Sequence, residues 1–348
     1  MISHLSFSTR TSVRLIWITA LCVAIFAAPW HASSQTAPLR LVSTVWPPFT
    51  NAAGEARFAL DLVDEALKRI GIAAQTTFVE ESTFTKSLLT GAFDGSAAAW
   101  KDTERERVMV FSEPYLENRL ILVGRRGSDV SAQTLAALAG KRIAVVGGYA
   151  YGDAVKQGAG PVFVQSRGEE DSLAKLLANE ADYTLMDELV VQYIIRTYPE
   201  QSQNRLQVGS TPLVTRPLHL AIRRERPDAT AVITRFNGEL RRMIADRTYH
   251  RLLHVDWIRA DVDGDGRPEL ISRTDLAGAT PPTRSYDLFM SSQPVSAPQQ
   301  PAPQPSGARF YVGGNIYENW AAVPNRYKAD FNGPDPDRST ASIFKFTW

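Results

Sequence analysis

Carboxylate side chains alternate with other residues in the stretch DVDGDGRPEL. Asp261, Asp263 and Asp265 lead into a glycine. Glu269 follows four positions after the last of them. Calcium takes six to eight hard oxygen donors, and the carbonyl of Arg267 would add one to these carboxylates. Because crowded carboxylates also need a counter-ion, the spacing predicts a calcium-binding loop with a structural role. We expect no other cofactor to be required.

The stretch KDTERERVMVFSEPY, at 101–115, is another concentration of charge. An arginine there is either solvated or grips an anion, because a guanidinium fork binds a carboxylate bidentately. The stretch follows a predicted helix, TFTKSLLTG, and precedes a predicted strand, RLILVG. Loops at the carboxyl ends of parallel strands bind ligands in α/β folds. The position therefore favours a charged loop at a binding site.

Motifs for covalent catalysis are missing from the sequence. There is no G-x-S-x-G nucleophile elbow, and the one cysteine, Cys22, lies in an apolar N-terminal run. The glycine stretch VVGGYAYGD follows a predicted strand but lacks the Lys-Ser/Thr of a P-loop. It predicts only a generic anion-receiving turn. We therefore expect no catalytic residue and no enzymatic activity.

Composition places the chain among ordinary globular proteins. It has 348 residues, of which 44% are hydrophobic and 22% are charged, enough for one large domain or two smaller ones. The formal net charge is +1, from 38 basic and 37 acidic side chains. So balanced a chain has no basic field for nucleic acid, and we expect no nucleic-acid partner.

The N-terminus is typical of an export signal. Arg10 and Arg14 precede the apolar run LIWITALCVAIFAAP, and small residues follow it. A basic region, a short apolar core and a small-residue cleavage site predict a cleavable signal peptide over 1–34; an uncleaved membrane anchor is the alternative. The remaining chain then has no cysteine, which suits the oxidising periplasm.

Strands and helices alternate from Leu39 onward, which predicts an α/β fold with largely parallel sheets. A helix from about Asp228 to Leu253 is expected to break near Arg247. The composition changes after Trp257. The stretch QPVSAPQQPAPQPSG predicts an extended linker, and the last forty residues are aromatic but too few for an independent core.

The segment GAFDGSAAAWKDTERERVMVFSEPY resembles the bacterial extracellular solute-binding proteins of family 3, the binding components of polar amino-acid ABC importers. Members share a similar small-residue run, then T-x-E-R, then F-S-x-P-Y. The resemblance continues in the same order with WPPF, LAALAGKRIAVVGG and LANEADYTLMD. It covers roughly residues 38 to 257, and the ordered set is more specific than any single motif.

The resemblance implies a two-lobed periplasmic binding protein type II fold, α/β in class, whose lobes are joined by two crossover strands and close by hinge motion. The crossings are expected near Val123–Gly124 and Thr215–Leu218. The expected division is lobe 1 at 36–123 and 216–258, lobe 2 at 124–215, the calcium-binding-like loop at 259–271, the Pro-rich linker at 272–308 and a mostly irregular C-terminal tail at 309–348.

The resemblance also implies a function. A periplasmic solute-binding protein, expected as a monomer, would capture a small polar solute such as an amino acid and deliver it to an ABC transporter permease in the inner membrane. One alternative is an enzyme resembling cyclohexadienyl dehydratases, with Glu80, Glu81 or Glu113 as the cleft acid. The other is an envelope sensory or interaction protein that acts through the linker and the tail.

The ligand site is carried over from the family residue by residue. Arg105, six positions before Phe111, matches the ligand-binding arginine. Asp187 matches the position that takes a ligand ammonium, and its alternative role is to cap the following helix. The other expected site residues form the walls of the cleft and its glycine turn: Trp46, Phe49, Trp100, Gly148 and Tyr149.

Two positions depart from the family pattern. Asp102 and Tyr149 stand where members often have a hydroxyl residue, so the resemblance does not define the solute. Outside the matched region, the DxDGDG stretch resembles the short calcium loops of FG-GAP-like repeats.

Overall fold

The computed structural model describes residues 37–155, 160–253, 257–263, 265–272, 276–282, 286–287 and 308–329. The predicted signal peptide, most of the predicted linker and the end of the tail lie outside the described residues. The described residues from Pro38 onward form one compact unit. Among them, no helix is both long enough and apolar enough to cross a membrane.

The first part of the chain alternates strands and helices: β1 (Leu39–Ser43), α1 (Phe58–Arg69), β2 (Ala74–Phe78), α2 (Glu81–Leu89) and β3 (Gly95–Trp100). β1 runs parallel to both β2 and β3. α1 forms because Leu60, Val63 and Leu67 recur on one face, and all three are fully buried. Gly71 follows with a φ of +73°, a left-handed conformation that glycine adopts at helix ends.

The charged stretch expected as a loop is instead a short helix, α3 (Thr103–Val108), followed by β4 (Met109–Phe111). Asp102 caps this helix, because its Oδ1 accepts the backbone amide of Arg105 at 2.7 Å. Positions two apart on a helix point to different sides. Arg105 is accordingly buried and Arg107 exposed.

The chain continues with β5 (Leu116–Arg125), β6 (Arg142–Val146), β7 (Val162–Ser166), α4 (Glu169–Leu177), β8 (Tyr183–Asp187), α5 (Glu188–Thr197), α6 (Pro199–Arg205) and β9 (Leu206–Arg223). β6 runs parallel to β7 and β8. The predicted helix in TLAALAG is only a 3₁₀ turn, Leu135–Leu138. A second 3₁₀ turn, Asp153–Val155, follows β6.

The strands form one nine-stranded sheet in the order β2-β1-β3-β9-β5-β8-β6-β7, with β4 also paired to β9. β5 and β9 run antiparallel at its centre. Parallel pairing is therefore confined to the two flanks, whereas the sequence predicted largely parallel sheets. The antiparallel centre arises because the chain crosses from one flank to the other on β5 and returns on β9.

The two long strands change neighbours along their length. β5 already pairs with β8 at Leu120, before the expected crossing at Val123–Gly124. β9 pairs with β3 from Leu218 onward, at the expected return near Thr215–Leu218. We keep the names lobe 1 and lobe 2 for the two flanks, and their residue boundaries stay a prediction.

Two helices follow β9, α7 (Ala229–Ala245) and α8 (Thr248–Leu253). The predicted break near Arg247 is confirmed, since this residue has a φ of +63°. A second sheet then forms in the order β12-β10-β11-β13-β14. Its strands are β10 (Trp257–Ala260), β11 (Glu269–Ser272), β12 (Tyr286–Asp287), β13 (Arg309–Val312) and β14 (Asn315–Tyr317).

The described part of the C-terminal tail is more regular than the sequence predicted. β13 pairs in parallel with β11, and Gly313 and Gly314, both at positive φ, turn the chain into the antiparallel β14. Phe310 and Val312 are buried in a small core that they share with Leu270. The tail therefore packs on β11, and two residues of the predicted linker form β12.

Candidate functional site

Arg105 lies between the lobes and is only 3% exposed. Its Nη1 donates to the carbonyl of Trp100 at 2.9 Å, and its Nη2 donates to the hydroxyl of Thr85 at 2.9 Å. Nη2 also donates to the carbonyl of Gly148, in lobe 2, at 3.4 Å. The guanidinium is thus held by lobe 1 and points at lobe 2.

A second arginine, Arg216 on β9, lies beside it. Burial lowers the pKa of Arg105, and the positive charge of Arg216 lowers it further, while Asp102 opposes the shift. Burial lowers the pKa of Arg216 as well. Within the described residues, the buried Nε of each arginine has no hydrogen-bond partner, although Asp102 Oδ2 lies 3.6 Å from Nε of Arg105. Two desolvated guanidinium groups favour an anion at this end of the cleft.

Contacts across the cleft hold the lobes together. The hydroxyl of Thr85, on α2 of lobe 1, donates to the carbonyl of Gly148 at 3.3 Å. Gly148 has a φ of +82°, a conformation that presents its carbonyl toward lobe 1 without a Cβ penalty. The same hydroxyl accepts from Arg105. Thr85 therefore orients the arginine and joins it to the opposite lobe.

Four rings form an aromatic cluster between the lobes: Trp46, Trp100, Tyr149 and Tyr151. The ring of Trp46 lies 5.7 Å from those of Trp100 and Tyr149. Tyr149 lies 5.2 Å from Trp100 and 5.7 Å from Tyr151. Trp46 and Trp100 belong to lobe 1 and the two tyrosines to lobe 2, so the cluster can line a ligand from both sides.

Phe49, expected as a wall of the site, is fully buried. Its ring lies 4.3 Å from Trp46 and 5.1 Å from Phe58. Phe49 therefore belongs to the core of lobe 1 and supports Trp46 from behind.

Asp187 ends β8 and is 1% exposed. Its Oδ1 accepts the backbone amides of Leu189 and Val190, at 2.7 and 3.4 Å, so it caps α5. Its Oδ2 accepts from Asn118 Nδ2 at 3.1 Å, and Asn118 in turn accepts the indole N–H of Trp100 at 2.7 Å. Burial raises the pKa of Asp187 to about 7, with these hydrogen bonds opposing the shift.

Two glutamates that the sequence did not assign to the ligand site face each other across the cleft. Glu81 begins α2 in lobe 1, and Glu169 begins α4 in lobe 2. Tyr149 donates its hydroxyl to Glu81 Oε1 at 3.4 Å. A Cβ added at Gly168 would lie 3.3 Å from Glu81 Oε2. Glu81 therefore reaches the start of α4, next to Glu169.

Both glutamates are shifted toward the protonated form. Burial raises the pKa of Glu81 to about 7, and the charge of Glu80 raises it further. Burial holds the pKa of Glu169 well above its usual range, and the charges of Glu81 and Asp187 add to the shift. The indole N–H of Trp46 opposes it, although Trp46 Nε1 and Glu169 Oε2 form no hydrogen bond. This end of the cleft favours a cation.

Sequence reasoning missed Glu81 and Glu169 as binding residues, together with Thr85, Tyr151 and Arg216. One signal was available for Glu169. It opens a predicted helix, which in the structure follows β7, and the carboxyl ends of parallel strands are where α/β folds bind ligands. No comparable signal marks Arg216, because it lies in the middle of β9.

The acids considered for an enzyme do not gather in the cleft. Glu80 is exposed. Glu113 forms an ion pair with Arg241 at 2.5 Å, and its backbone amide donates to Asn237. Only Glu81 of the three faces the cleft.

The predicted calcium loop does bring its carboxylates together. Oxygen atoms of Asp261, Asp263 and Asp265 lie within 4.8 Å of one another, and all three residues are exposed. Asp261 Oδ2 accepts the amide of Gly266 at 2.8 Å. Glu269 is fully buried and accepts the amide of Val262 at 2.9 Å. Hydrogen bonds from its own backbone amides to its carboxylate side chains thus close the loop.

Arg309, from β13, inserts its guanidinium into this loop. Nη1 lies 2.7 Å from Asp265 and 2.9 Å from Glu269, and Nη2 lies 3.2 Å from Asp263. Nη1 also donates to the carbonyl of Arg267 at 3.1 Å. Four of the five predicted calcium ligands therefore contact this arginine. We call Asp263, Asp265, Glu269 and Arg309 the clasp.

Comparison with known proteins agrees with this architecture. The family model described as bacterial extracellular solute-binding proteins, family 3, matches residues 41–259. The ABC transporter arginine-binding protein 1 of Escherichia coli (strain K12) is 24% identical over 218 residues, which are 61% of this chain and 86% of that protein. These relatives favour neither the enzyme nor the sensory alternative.

Solved structures extend the comparison. A mutant of ArgBP from T. maritima is 25% identical with a TM-score of 0.52, over 62% of this chain and 93% of its own. An ancestral arginine-binding protein bound to arginine has a TM-score of 0.54 at 21% identity, over 63% of this chain and 98% of its own, and shows the fold alone. The two-lobed type II fold is confirmed. Because the family match spans more than half of the chain, this solute-binding protein belongs to the bacterial extracellular solute-binding proteins, family 3.

Proposed function

We propose that this protein works in the periplasm, where it captures a small polar solute, an amino acid or a related compound, and delivers it to the permease of an ABC importer in the inner membrane. The family name and the relative named for ABC transport of arginine support this proposal. The matching family model describes solute-binding proteins, and we propose that this protein is not an enzyme.

The observation that carries the proposal is the burial of Arg105 beside Arg216 at the junction of the lobes. A desolvated guanidinium pair favours an anionic group, and the planar fork of Arg105 suits a carboxylate. Trp46, Trp100 and Tyr149 would contact the apolar part of the solute. Asp187 would take an ammonium while it also caps α5.

Closure of the lobes would couple binding to a change of shape. Thr85 and Arg105 contact Gly148 across the cleft, and Glu81 contacts Tyr149. These contacts belong to the closed arrangement, and they can only form when the lobes meet. A solute that bridges both lobes binds this arrangement more tightly and shifts the population toward it.

The test is a thermal-shift screen of amino acids, amines and organic acids, followed by calorimetric titration of the hits. Replacing Arg105 by Ala should weaken binding by about 2–5 kcal/mol, roughly thirtyfold to several thousandfold. Arg105→Lys should recover only part of this loss, because it keeps the charge and loses the fork. Arg107→Ala, on the exposed side of the same helix, is the matched control. Undiminished binding by a folded Arg105→Ala protein would remove Arg105 from the site.

The acidic loop has a separate, structural role in this proposal. It fastens β13, and with it the tail, to the end of the binding region through Arg309. Calcium binding by the loop stays a prediction. An ion would have to compete with Arg309 for the carboxylates and for the carbonyl of Arg267.

A further inference from the structure

Glu169 is a buried carboxylate with no cation of its own. It is 4% exposed, and its Oε2 has no hydrogen-bond partner in the described part of the chain. Glu81 Oε2 is buried and unpartnered in the same way. Among the described residues, no Lys, Arg or His forms an ion pair with either glutamate. Burial without a paired cation disfavours the charged form of both carboxyl groups, and a bound cation would stabilise that form.

The charged groups around the two glutamates increase the excess of carboxyl groups over cations in this part of the cleft. The charged neighbours that act on the two glutamates are themselves carboxylates: Glu80 on Glu81, and Asp187 on Glu169. Arg105 and Arg216 do not pair with these glutamates. Arg105 donates to backbone carbonyls and to Thr85, and Arg216 donates to the carbonyl of Lys101. The positive and negative groups therefore occupy separate parts of the cleft.

Tyr149 connects the two parts. The carbonyl oxygen of Gly148, the residue before Tyr149, lies 3.4 Å from Arg105 Nη2. The hydroxyl of Tyr149 lies 3.4 Å from Glu81 Oε1. The rings of Trp46 and Tyr151 lie 5.7 Å from that of Tyr149. Aromatic faces attract cations electrostatically, most strongly where water is excluded. Carboxylates beside such rings form a receptor for a desolvated cation.

We propose that Glu81 and Glu169 are specificity-determining residues that bind a cationic group of the solute against Trp46, Tyr149 and Tyr151. This inference rests on the proposed function, and it narrows the solute class. The solute carries an anionic group for the arginine end and a guanidinium or ammonium group that reaches the two glutamates.

A purely structural role explains only half of the arrangement. Glu169 is the first residue of α4, where the helix dipole stabilises a carboxylate. Glu81, however, comes from the opposite lobe and brings a second carboxyl group to the same helix end. A dipole alone gives no reason for two carboxylates to meet there.

Two pairs of amino-acid ligands separate the effect of side-chain charge on affinity from the effect of side-chain shape. They are arginine against citrulline, and lysine against norleucine. Calorimetric titration of the wild-type protein should give tighter binding of at least one cationic member, about tenfold or more over its neutral partner. Glu169→Gln, which keeps the size of the side chain, should reduce that ratio to within about threefold of unity without weakening the neutral probe. Glu180→Gln, at an exposed position of the same lobe, should leave the ratio unchanged.

Several results would overturn the inference. They are equal affinity within both pairs in the wild type, an unchanged ratio in Glu169→Gln, or no binding of any of the four probes. If circular dichroism shows that Glu169→Gln does not fold, the ratio of affinities for the cationic and neutral probes is measured in Glu81→Gln instead, with the same expected decrease. Equal affinities combined with a large loss in Arg105→Ala would end this inference and leave the proposed function intact. A screen without hits, or hits indifferent to Arg105→Ala, would count against the proposed function itself.

Discussion

The protein contains two acidic clusters that differ in how their charge is neutralised. In the clasp, Arg309 lies within 3.2 Å of Asp263, Asp265 and Glu269. In the cleft, Glu81 and Glu169 meet with no basic side chain paired to either of them in the described chain. The clasp therefore has its cation built in, whereas the cleft leaves the corresponding position to a ligand.

The pKa directions of Asp265, Glu81 and Glu169 express the same difference, although burial raises the pKa of Glu269 in the clasp and Arg309 only opposes that shift. The amide of Arg267 and the guanidinium of Arg309 lower the pKa of Asp265. Burial raises the pKa of Glu81 to about 7 and raises that of Glu169 well above its usual range. Neighbouring cations favour a charged carboxylate, and burial without them disfavours it. A fixed contact and a binding site can thus use the same residue type, and only the partner differs.

The largest expected effect is the loss of the clasp. Arg309→Ala would leave Asp263, Asp265 and the fully buried Glu269 without their cation, so it should lower the melting temperature by several degrees. It should also increase proteolysis of the segment after β11. The measurement is differential scanning fluorimetry combined with limited proteolysis.

Arg326→Ala is the control for this variant, because Arg326 is exposed in the same segment. Equal melting temperatures for the two variants would show that the clasp does not fasten the tail.

The next effect is a dependence of stability on pH that has opposite signs for Glu81 in the cleft and for Asp265 in the clasp. The pKa of Glu81 rises from its ordinary 4.5 to about 7 on folding, so its contribution is complete below pH 4.5 and is lost as the pH rises through 7. The pKa of Asp187 rises in the same way, from 3.8 to about 7, with the same effect on stability. The lowered pKa of Asp265 has the reverse consequence, with stability lost as the pH falls below 3.8.

Thermal melts of the unliganded protein between pH 5 and pH 8 test this sign. Stability should decrease with pH, by about 1–3 kcal/mol for Glu81, and Glu81→Gln should flatten the curve. A cationic solute should remove most of the slope. Stability that rises over this range in the wild type would contradict the assignment.

A smaller effect is expected from Thr85, which positions Arg105. Thr85→Val keeps the shape and removes the hydroxyl that accepts from Arg105 and donates to Gly148. Loss of one such hydrogen bond weakens binding by about 0.5–1.5 kcal/mol, or roughly twofold to tenfold. Thr90→Val is the matched control, because Thr90 is exposed at the end of the same helix. The same affinity in both variants would show that Thr85 does not support the arginine.

The smallest effect concerns calcium. Because Arg309 contacts most of the predicted ligands, calcium or a chelator should change the melting temperature of the wild type by less than about one degree. In Arg309→Gln the carboxylates are released, and calcium should then stabilise the protein. Strong stabilisation of the wild type by calcium would show that the ion displaces Arg309 and would restore the calcium-binding loop.

Much of the fold was predictable because local patterns and the global structure agree. The apolar stripe of α1, the break at Arg247 and the alternation of strands with helices were all visible in the sequence. The family motifs also marked Arg105, which the structure buries between the lobes. The helix α3 was missed because it is six residues long and highly charged, and its cap, Asp102, was considered only as a ligand-site residue.

The residues of the cleft that the sequence missed share a physical reason. Glu81, Glu169 and Arg216 are distant in the chain. Apart from the position of Glu169 at the start of a predicted helix, nothing in their local sequence separates them from solvated charges. Whether a charge is solvated or buried depends on what packs over it. That is a property of the closed lobes and not of any short stretch.

The sequence by itself determined the order of elements, the family and the single arginine that local motifs could identify. Those features depend on spacing along the chain, where hydrophobic period and motif order are directly visible. The tertiary structure decided which charges meet. It placed Arg309 in the acidic loop, brought Glu81 to Glu169 and put Phe49 behind Trp46, because contacts between distant residues follow from how strands and lobes pack together.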